Sequence, residues 1–301
     1  MAILALTRYN IAPQKIRLLK TNQDSTVFRV DTDTTIFTLR LFPADSQRLI
    51  QAQFEIDWLT ALHQDTSLRV PNPQHIIQLK ENLYAVLMTF VVGRRVFKSM
   101  SSSHLFKMGA FHAHVHNHTA MFGRTEGPCW DWNRIFKPFL NPENAKWFTT
   151  AQLDIFKRVG ELVAATMTTL GKGSEVYGLI HSDVHFDNCV FHQGEIGVFD
   201  FAECGFGYFL TDMAVTVDEL EWEPNEKTIA FKAAYLDGYR SVRHFPAEME
   251  KHLPIFVAAR VAESATWFLE WSEAERCKYR DDLNSSIEDA AKRLEQFLAK
   301  L

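Results

Sequence analysis

The sequence lacks the features that would place this chain in a membrane, outside the cell or on nucleic acid. Its longest uncharged apolar stretch, residues 83–92, spans about ten positions, whereas a membrane-spanning helix needs about 20. The first residues reach Arg8 with no basic region ahead of a long apolar core, so we expect no export signal. The formal net charge is −5, so we expect no general nucleic-acid partner, which would require a phosphate-neutralising surface.

Cysteine is scarce as well, and there is no repeat or low-complexity segment. The four cysteines, Cys129, Cys189, Cys204 and Cys277, lie far apart and form no CxxC pair. Reduced thiols in a cytoplasmic protein fit this pattern. In contrast, 24 Phe and 7 Trp residues supply ample apolar area for a folded core. The length of 301 residues is typical of two domains or lobes.

Residues 1–91 read as a small sheet with one helix. The first forty residues favour strands, and β-branched and aromatic residues predict strands at 25–30, 35–42, 76–79 and 84–90. One helix is expected over 46–62, because Ile50, Phe54, Trp58 and Leu62 recur with helical spacing.

From residue 92 onward the pattern becomes mainly helical. A short hairpin is expected within 189–199, because two apolar runs flank the turn residues Gln193 and Gly194. The chain is therefore predicted to be an α+β protein with two lobes, 1–91 and 92–301. Helices are predicted at about 102–120, 142–170, 209–221, 226–241, 248–276 and 281–300.

The most informative segment runs from Gly178 to Phe201. His181 is followed two residues later by Asp183, and Asn188 comes five residues after that aspartate. This is the spacing of the kinase catalytic loop, in which the aspartate accepts a hydroxyl proton and the asparagine faces a metal ion. Beyond the hairpin, Asp200 would bring a carboxylate to the same Mg²⁺, a hard cation that prefers oxygen ligands.

These motifs resemble those of the aminoglycoside phosphotransferase/choline kinase superfamily, whose members have the bilobal protein-kinase-like fold. The second motif reads Asp-Phe-Ala-Glu-Cys-Gly-Phe-Gly-Tyr over residues 200–208. Together the two motifs look closest to the homoserine kinase type II-like and stress-response-kinase-like branch. The resemblance covers most of the chain but is weak after about residue 225. It implies a nucleotide-binding lobe over 1–91 and a catalytic, substrate-binding lobe over 92–301.

The resemblance implies a role for each motif residue, with ATP and Mg²⁺ as the cofactors. Asp183 resembles the catalytic base, and Asn188 and Asp200 resemble the metal ligands. His181 is similar to the histidine that orients the catalytic loop. Asp212 resembles the aspartate that starts the next helix and braces that loop by hydrogen bonds.

In the first lobe, Arg40 resembles the strand residue that holds the α- and β-phosphates. A lysine stands there in protein kinases, and the planar fork of arginine can also grip phosphate. Glu55 on the following helix is the expected partner of Arg40, although the two could also form a solvated pair of little consequence. Ser25 and Thr26 are candidate phosphate contacts in a loop that has no glycine, which requires another turn geometry.

The nucleotide base is expected at the connector between the lobes, where backbone groups from Met88 to Val91, including Phe90, would read its edge. One departure from the family concerns metal binding. Ala202 stands where relatives often have a second aspartate, and Glu203 is the neighbouring carboxylate. This predicts weak or altered metal binding.

Other interpretations of the histidine-containing segments remain open. The order His181, Asp183, His185 would also suit a metallohydrolase, but no further His/Asp motif completes such a site. The alternating histidines from His112 to His118 would line one face of a strand and suggest metal binding. The surrounding apolar residues follow helical spacing instead, which favours a partly exposed helix.

The acceptor site is expected between the catalytic loop and the C-terminal helices. There Asp218, Glu221 or Glu263 could attract a cationic substrate, although an acidic run such as 218–223 is usually a solvated helix end. Trp267, with Phe268 and Trp271, could line the same pocket, although core packing is the default for such a stripe. Cys204 is expected to be a packed thiol rather than a nucleophile.

The sequence therefore predicts a phosphotransferase that moves the γ-phosphoryl group of ATP to a hydroxyl of a small molecule. Two alternatives are a Ser/Thr protein kinase of the stress-response type and a nucleotide-binding protein that has lost turnover. The sequence leaves the acceptor and the oligomeric state open.

Overall fold

The computed structural model describes residues 1–22, 24–221, 224–270 and 273–301. Its strands are β1 (Lys15–Thr21), β2 (Thr26–Asp31), β3 (Ile36–Pro43), β4 (Ile77–Lys80), β5 (Leu83–Thr89), β6 (Cys129–Trp130), β7 (Tyr177–Ile180), β8 (Cys189–His192), β9 (Glu195–Val198) and β10 (Gly205–Tyr208). Its α-helices are α1 (Ala2–Arg8), α2 (Ser46–Asp65), α3 (Ser102–Phe122), α4 (Trp132–Leu140), α5 (Pro142–Ala145), α6 (Thr150–Leu170), α7 (Phe209–Glu221), α8 (Glu226–Arg240), α9 (Ala247–Glu250), α10 (Leu253–Ser264), α11 (Glu273–Lys278) and α12 (Arg280–Leu298).

The chain divides into two compact units. The first unit contains residues 1–100, 118–128 and 186–204, and the second contains 101–117, 129–185 and 205–301. The hairpin β8–β9 is thus part of the first unit, together with the N-terminal sheet. The division into lobes at residue 91 stays a prediction.

The first unit is built on a five-stranded antiparallel sheet with the order β1-β2-β3-β5-β4. The expectation that the first forty residues form only strands was wrong, because Ala2–Arg8 is a helix. Ala5 and Leu6 of α1 are buried against the sheet in one apolar cluster. Tyr9 follows α1 and donates its hydroxyl to the carbonyl of Ala85 at 2.8 Å. A seven-residue helix is stabilised mainly by such packing, which local propensity does not reveal.

Helix α2 lies where the sequence predicts a helix, but it continues to Asp65. It begins after Asp45, whose side chain accepts the backbone N–H of Arg48 and caps the helix. Phe54, Trp58 and other apolar residues of one face are buried, as expected. Ile50 was expected on that face as well, but it is 65% exposed.

The second unit is mainly helical, with α10 packed against α7, α6 and α12. Two of the predicted helices are divided into shorter elements. The stretch 142–170 is divided because Asn141 caps the short α5 and Thr149 begins α6 with a capping box. The stretch 248–276 is also divided, although α10 has no side-chain cap and starts with Pro254 in its first turn. Helix α4 was not predicted.

A three-stranded sheet of order β6-β10-β7 completes the second unit. Strand β7 leads directly into the segment that carries His181 and Asp183, and β10 leads into α7. The sheet therefore fixes the starting points of the two segments that form the site in this unit. Among the described residues, no helix has the length and apolar character required to cross a membrane.

Candidate active site

Asp212, near the start of α7, braces the loop that follows β7. Its carboxylate accepts the backbone N–H of His181 at 3.0 Å and that of Ser182 at 2.8 Å. Ser182 has a φ of 71°, a conformation that costs a residue with a side chain some strain. The paired hydrogen bonds hold this loop in place, which confirms the predicted brace.

Two histidines of α3 enclose the same carboxylate. The Nε2 atom of His116 lies 3.0 Å from Asp212 Oδ2, and that of His112 lies 3.5 Å from Oδ1. On their other side, His116 Nδ1 contacts the hydroxyl of Tyr239 at 2.8 Å, and His112 Nδ1 contacts that of Tyr235 at 2.7 Å. The two histidines are one helical turn apart, so they share one face of α3.

The expected helix is therefore present over the histidine-rich segment, but it is not simply half-exposed. His112, His116 and His118 are buried, whereas His114 is exposed. His118 lies in the first unit, where its Nδ1 accepts the indole N–H of Trp58 at 3.1 Å. No group of three or more His, Cys, Asp and Glu side chains arranged for a metal ion occurs in the described part of the chain. These histidines act as hydrogen-bonding residues of the interior.

The charge states within this cluster follow from its burial. Burial lowers the pKa of His116 to about 4 although the hydrogen bond to Asp212 opposes the shift, so the imidazole is neutral at pH 7. Burial alone would raise the pKa of Asp212, but the two histidines hold it well below its usual range. A carboxylate only accepts hydrogen bonds, so His116 carries its proton on Nε2, and Nδ1 accepts the hydroxyl proton of Tyr239.

Asp183 is presented by the braced loop. Its backbone N–H donates to His181 Nδ1 at 3.2 Å, so His181 orients the backbone on which the carboxylate is mounted. The Asp183 side chain remains 27% exposed. Oδ2 lies 3.5 Å from His185 Nε2, and Oδ1 lies 3.4 Å from Arg260 Nη2. The proposed base is thus reachable, and it is contacted by two cationic or potentially cationic side chains.

These contacts keep Asp183 ionised. Burial would raise the pKa of this carboxyl, but the hydrogen bond from His185 and the charge of Arg260 lower it below its usual value. The pKa of His185 is raised, because the attraction to Asp183 outweighs the effect of its burial. A carboxylate that is ionised at neutral pH can accept a proton from a hydroxyl group, which a general base must do.

The acidic residues predicted for a cationic substrate are already paired with cations of the chain. Glu263 Oε2 accepts from Arg260 Nη1 at 3.0 Å, Asp218 pairs with Arg293, and Glu221 lies 2.5 Å from Lys232 Nζ. Trp267 is 50% exposed and packs on Phe268 at 4.4 Å between ring centroids. Glu223 and Trp271, which belong to the same predictions, lie outside the described residues. A role for these side chains in substrate binding stays a prediction.

In the first unit, Arg40 on β3 and Glu55 on α2 form the predicted ion pair. Both guanidinium Nη atoms face the carboxylate, with Nη1 to Oε1 at 3.1 Å. Glu55 is 2% exposed and the Arg40 side chain is 14% exposed, which excludes a solvated surface pair. Burial alone would lower the pKa of Arg40, but Glu55, and to a smaller degree Asp200, raise it. The phosphate contact of Arg40 stays a prediction.

Asn188 and Asp200 lie at the open end of the β8–β9 hairpin, within the first unit. The backbone N–H of Phe199 donates to the carbonyl of Asn188 at 3.0 Å, so residue 188 stands opposite the residue before Asp200. Asn188 is 7% exposed, and Asp200 is exposed with a φ of 65°. An amide and a carboxylate oxygen suit Mg²⁺, which commonly takes one or two protein carboxylates and completes its shell with phosphates and water. These residues therefore fit the implied metal.

The segment after Asp200 is attached to helix α2. The amide of Gln51 donates to the carbonyls of Ala202 and Cys204 at 2.9 and 2.8 Å. Phe201 is fully buried and packs edge-on against Trp58, with 5.5 Å between ring centroids. Gln51 and Glu55 are one turn apart on α2, so one helix contacts both Arg40 and the segment that carries Asp200.

The sequence departs from the family pattern at the loop without glycine and at Ala202, and the structure shows the local conformation at both places. In the loop without glycine, Asn22 Oδ1 accepts the backbone N–H groups of Asp24 and Ser25 at 3.1 and 2.8 Å. This side-chain turn is the alternative geometry that the sequence requires. The hydroxyl of Thr26 contacts that of Thr21 at 3.0 Å. Gln23 of this loop lies outside the described residues, and the phosphate contacts of Ser25 and Thr26 stay predictions.

Near the second departure, burial raises the pKa of the Cys204 thiol well above its usual value. Cys204 is therefore the packed thiol that the sequence predicts. The carbonyl of Ala202 is occupied by Gln51, and the side chain of Glu203 is exposed.

In the connector predicted to hold the nucleotide base, part of the backbone already forms hydrogen bonds within the protein. Thr89 N–H donates to Asn72 and Phe90 N–H donates to Ile36, both at 2.9 Å. Met88 is buried and lies opposite Thr38 in the sheet. Phe90 could therefore read a nucleotide only through its carbonyl, and the proposed contacts of Met88 and Phe90 stay predictions.

Sequence reasoning missed Gln51 and Arg260, and it considered His185 only as a possible metal ligand. His185 is part of the catalytic motif, but the motif alone assigns it no partner. Gln51 could have been noticed because it lies one helical turn before Glu55. Arg260 gives no local signal, because it is 77 residues from Asp183 along the chain. Only the packing of α10 brings these two side chains together.

Comparison with solved structures shows that the chain has the protein-kinase-like fold. A microcompartment-associated aminopropanol kinase superimposes with a TM-score of 0.77 at 24% identity, covering 99% of this chain and 97% of that one. An amicoumacin kinase in complex with AMP-PNP, Ca²⁺ and Ami gives 0.73 at 19% identity, covering 95% and 93%. A thermostable mutant of the aminoglycoside phosphotransferase APH(4)-Ia gives 0.65 at 14% identity, covering 97% and 99%. These likenesses confirm the expected fold.

The family itself is shown by sequence. The model of the Phosphotransferase enzyme family matches residues 15–248, and the chain belongs to this family. Amicoumacin kinase of Bacillus subtilis (strain 168) is 28% identical over 101 residues, which are 31% of this chain and 30% of that protein. Homoserine kinase of Neisseria meningitidis serogroup B (strain ATCC BAA-335 / MC58) is 33% identical over 79 residues, 26% of each chain. The chain thus matches less than a third of the length of these curated relatives.

Proposed function

We propose that this protein transfers the γ-phosphoryl group of ATP to a hydroxyl group of a small molecule. The observation that carries the proposal is the Asp183 carboxylate, which is ionised, partly exposed and mounted on a loop that Asp212 holds by two backbone hydrogen bonds. A general base needs this combination of charge state, access and fixed position. The family to which the chain belongs supports the same reaction class.

In this reaction the protein mainly positions the reactants and compensates the charge of the phosphates. Asp183 accepts the proton of the acceptor hydroxyl while that oxygen forms a bond to the γ-phosphorus. The bond between the γ-phosphorus and the bridging oxygen breaks, and ADP leaves with that oxygen. Arg40, held by Glu55, binds the α- and β-phosphates. Asn188 and Asp200 would hold Mg²⁺, which would neutralise phosphate charge.

The names of similar proteins support the small-molecule part of the proposal. The relatives are named as kinases of amicoumacin and homoserine, and the structural neighbours include an aminopropanol kinase and aminoglycoside phosphotransferases. One neighbour was solved with AMP-PNP and Ca²⁺, which supports the use of a nucleotide and a divalent cation. We assign Mg²⁺ and a cytoplasmic location as part of this proposal.

The first test is a thermal-shift titration with ATP, with and without Mg²⁺. Wild type is expected to show stabilisation that depends on Mg²⁺, because a ligand that binds only the folded state raises its stability. Asp200→Ala should lose most of the Mg²⁺-dependent part. Asp289→Ala removes an exposed aspartate of α12 and is the matched control. Absence of any shift at millimolar ATP would contradict the nucleotide site.

The second test measures ADP release with a panel of small alcohols. Asp183→Asn should lower turnover by about 10²–10⁴-fold, the usual contribution of a general base, and leave ATP binding intact. Wild-type turnover in this variant would contradict the assignment of Asp183. Autophosphorylation without transfer to any alcohol would favour a protein kinase. Stabilisation by ATP without any transfer would favour a nucleotide-binding protein that has lost turnover.

A further inference from the structure

Arg260 of α10 lies beside the carboxylate that we propose as the base, and no sequence motif accounts for it. Its Nη2 atom is 3.4 Å from Asp183 Oδ1, and its Nη1 atom is 3.0 Å from Glu263 Oε2. The Arg260 side chain is 26% exposed. Because the Arg260 cation beside the proposed base is partly accessible, a bound acceptor can reach it.

The guanidinium holds its two partners unequally. Charge-assisted N–H···O bonds are usually about 2.7–2.9 Å long, so the 3.4 Å contact with Asp183 is a long one. Arginine has five N–H donors in a planar fork, which matches a carboxylate in a bidentate arrangement. An incoming carboxylate can therefore take the Nη2 side of Arg260 from Asp183. Asp183 would keep its contact with His185 and become available to a hydroxyl group.

The three carboxylates that the sequence suggested for binding a cationic substrate are each paired with a cation of the chain. Asp218 is paired with Arg293, Glu221 with Lys232, and Glu263 with Arg260. An ammonium group that relied on one of these carboxylates would have to displace a cation of the chain.

We propose that Arg260 is a specificity-determining residue that binds a carboxylate of the acceptor, which makes the acceptor class small hydroxy acids. This inference rests on the proposed function, since it concerns the acceptor of the same reaction. A hydroxyl bonded to Asp183 and a carboxylate bonded to Arg260 would be separated by at most about 9 Å, given normal hydrogen-bond lengths. The acceptor chain between the two groups is therefore short.

Four probe alcohols separate the contributions of carboxylate and ammonium groups. L-Homoserine carries both groups, 4-hydroxybutyrate carries the carboxylate alone, 3-aminopropan-1-ol carries the ammonium alone, and propan-1-ol carries neither. Each is tested with Mg·ATP for ADP release and, with AMP-PNP, for thermal stabilisation. We expect the two carboxylates to have KM values about 10-fold or more below those of their partners without the carboxylate, as for a charge-assisted hydrogen bond.

Arg260→Gln should abolish this selectivity. Because Arg260 also contacts Asp183, kcat is expected to fall for all four probes together. The KM values of homoserine and 4-hydroxybutyrate, each relative to that of its partner without the carboxylate, are expected to rise about 10- to 100-fold. Arg260→Lys keeps the charge but not the fork, and it should restore part of the preference. Arg240→Gln is the matched control, because Arg240 pairs with Glu250 on a different part of the second unit. A role for Arg260 in supporting Asp183 alone would affect all four probes alike and leave the ratio of KM values within each pair unchanged.

Each contrary outcome has a distinct meaning. Preference for the ammonium-only alcohol, or an unchanged selectivity in Arg260→Gln, overturns the inference and leaves the proposed function standing. Failure of both carboxylates to stabilise the protein or to be phosphorylated also overturns it. The titration with ATP alone then shows whether the proposed function fails too, because it does not depend on the acceptor.

Discussion

Asp212 in the second unit and Glu55 in the first are both nearly enclosed carboxylates, but they are held by different kinds of partner. Asp212 receives two backbone N–H groups and the Nε2–H of a neutral His116, with His112 close by. Glu55 faces a single full charge, the guanidinium of Arg40. The first arrangement fixes a loop, because each donor belongs to a defined backbone or ring position.

In the second arrangement, the guanidinium of Arg40 can bind another anion in addition to Glu55. A guanidinium has more donors than one carboxylate uses, so Arg40 can keep Glu55 and still contact phosphate oxygens. Asp212 therefore serves mainly the folded structure, whereas we expect Glu55 to serve mainly the position of Arg40, the proposed phosphate-binding cation. Four changes test this difference.

The largest effect is expected for Asp212→Ala. This change leaves the donors from His181, Ser182 and His116 buried without their acceptor, so the free energy of unfolding should fall by about 3–5 kcal/mol. Urea denaturation of the variant measures the loss. Asp212→Asn keeps one acceptor oxygen and should recover part of the stability. A loss below about 1 kcal/mol for Asp212→Ala would show that the brace is not a structural element.

The next effect concerns pH. The pKa of His116 is lowered to about 4 from 6.5 by burial, so the unfolded chain binds more protons between these values. Stability is therefore complete above about pH 6.5 and falls as pH decreases toward 4, by about 3 kcal/mol in total.

Denaturation of wild type and His116→Gln at pH 7 and pH 5 measures this dependence. The stability of the variant should decrease less between pH 7 and pH 5, because the buried imidazole is gone. His114→Gln changes an exposed histidine of the same helix and should keep the wild-type slope. Equal slopes in all three proteins would contradict a neutral buried His116.

A smaller effect is expected at the ion pair. Glu55→Met leaves the guanidinium of Arg40 without its partner, and we expect a loss of about 2 kcal/mol, below the fully buried range because Arg40 is 14% exposed. The double variant Arg40→Met/Glu55→Met should return to within about 1 kcal/mol of wild type, since apolar residues can replace a buried pair. Its stabilisation by Mg·ATP should nevertheless be lost. A double variant that still binds ATP normally would remove Arg40 from the nucleotide site.

The smallest effect is expected for Gln51→Ala. Two hydrogen bonds to the carbonyls of Ala202 and Cys204 disappear, and water can replace part of them because the contact is only partly buried. We expect a loss of about 1 kcal/mol. Gln53→Ala removes an exposed glutamine of the same helix and serves as the control. Stabilisation by Mg·ATP should decrease more in Gln51→Ala than in the control, because the released segment carries Asp200.

The parts of the fold that could be predicted are those with strong local patterns. Helix α2 and the β8–β9 hairpin follow directly from apolar spacing and turn residues. The brace by Asp212 and the pair of Arg40 with Glu55 could be predicted because a family resemblance supplied the long-range pairing. Helix α1 could not, since only its packing on the sheet stabilises so short a helix.

The site was harder to predict wherever a contact joins distant segments. The burial of His112 and His116 depends on α7 and α8, which contribute Asp212 and the two tyrosines. The pairing of Asp218 with Arg293 and the contact of Arg260 with Asp183 depend on how α7, α10 and α12 pack, whereas Glu263 pairs with Arg260 within α10. Residue types alone suggested a cation site there, but they do not reveal that Asp218, Glu221 and Glu263 are paired with cations of the chain.

The positions of the four thiols make it possible to measure the opening of one unit by chemical labelling. Cys189 and Cys204 are buried and belong to the first unit, whereas Cys129 and Cys277 are exposed and belong to the second. An alkylating reagent should modify the two exposed thiols rapidly. The two buried thiols can react only when the first unit opens, so their rate of modification measures that opening. A nucleotide that binds this unit should slow the second phase of labelling and leave the first unchanged.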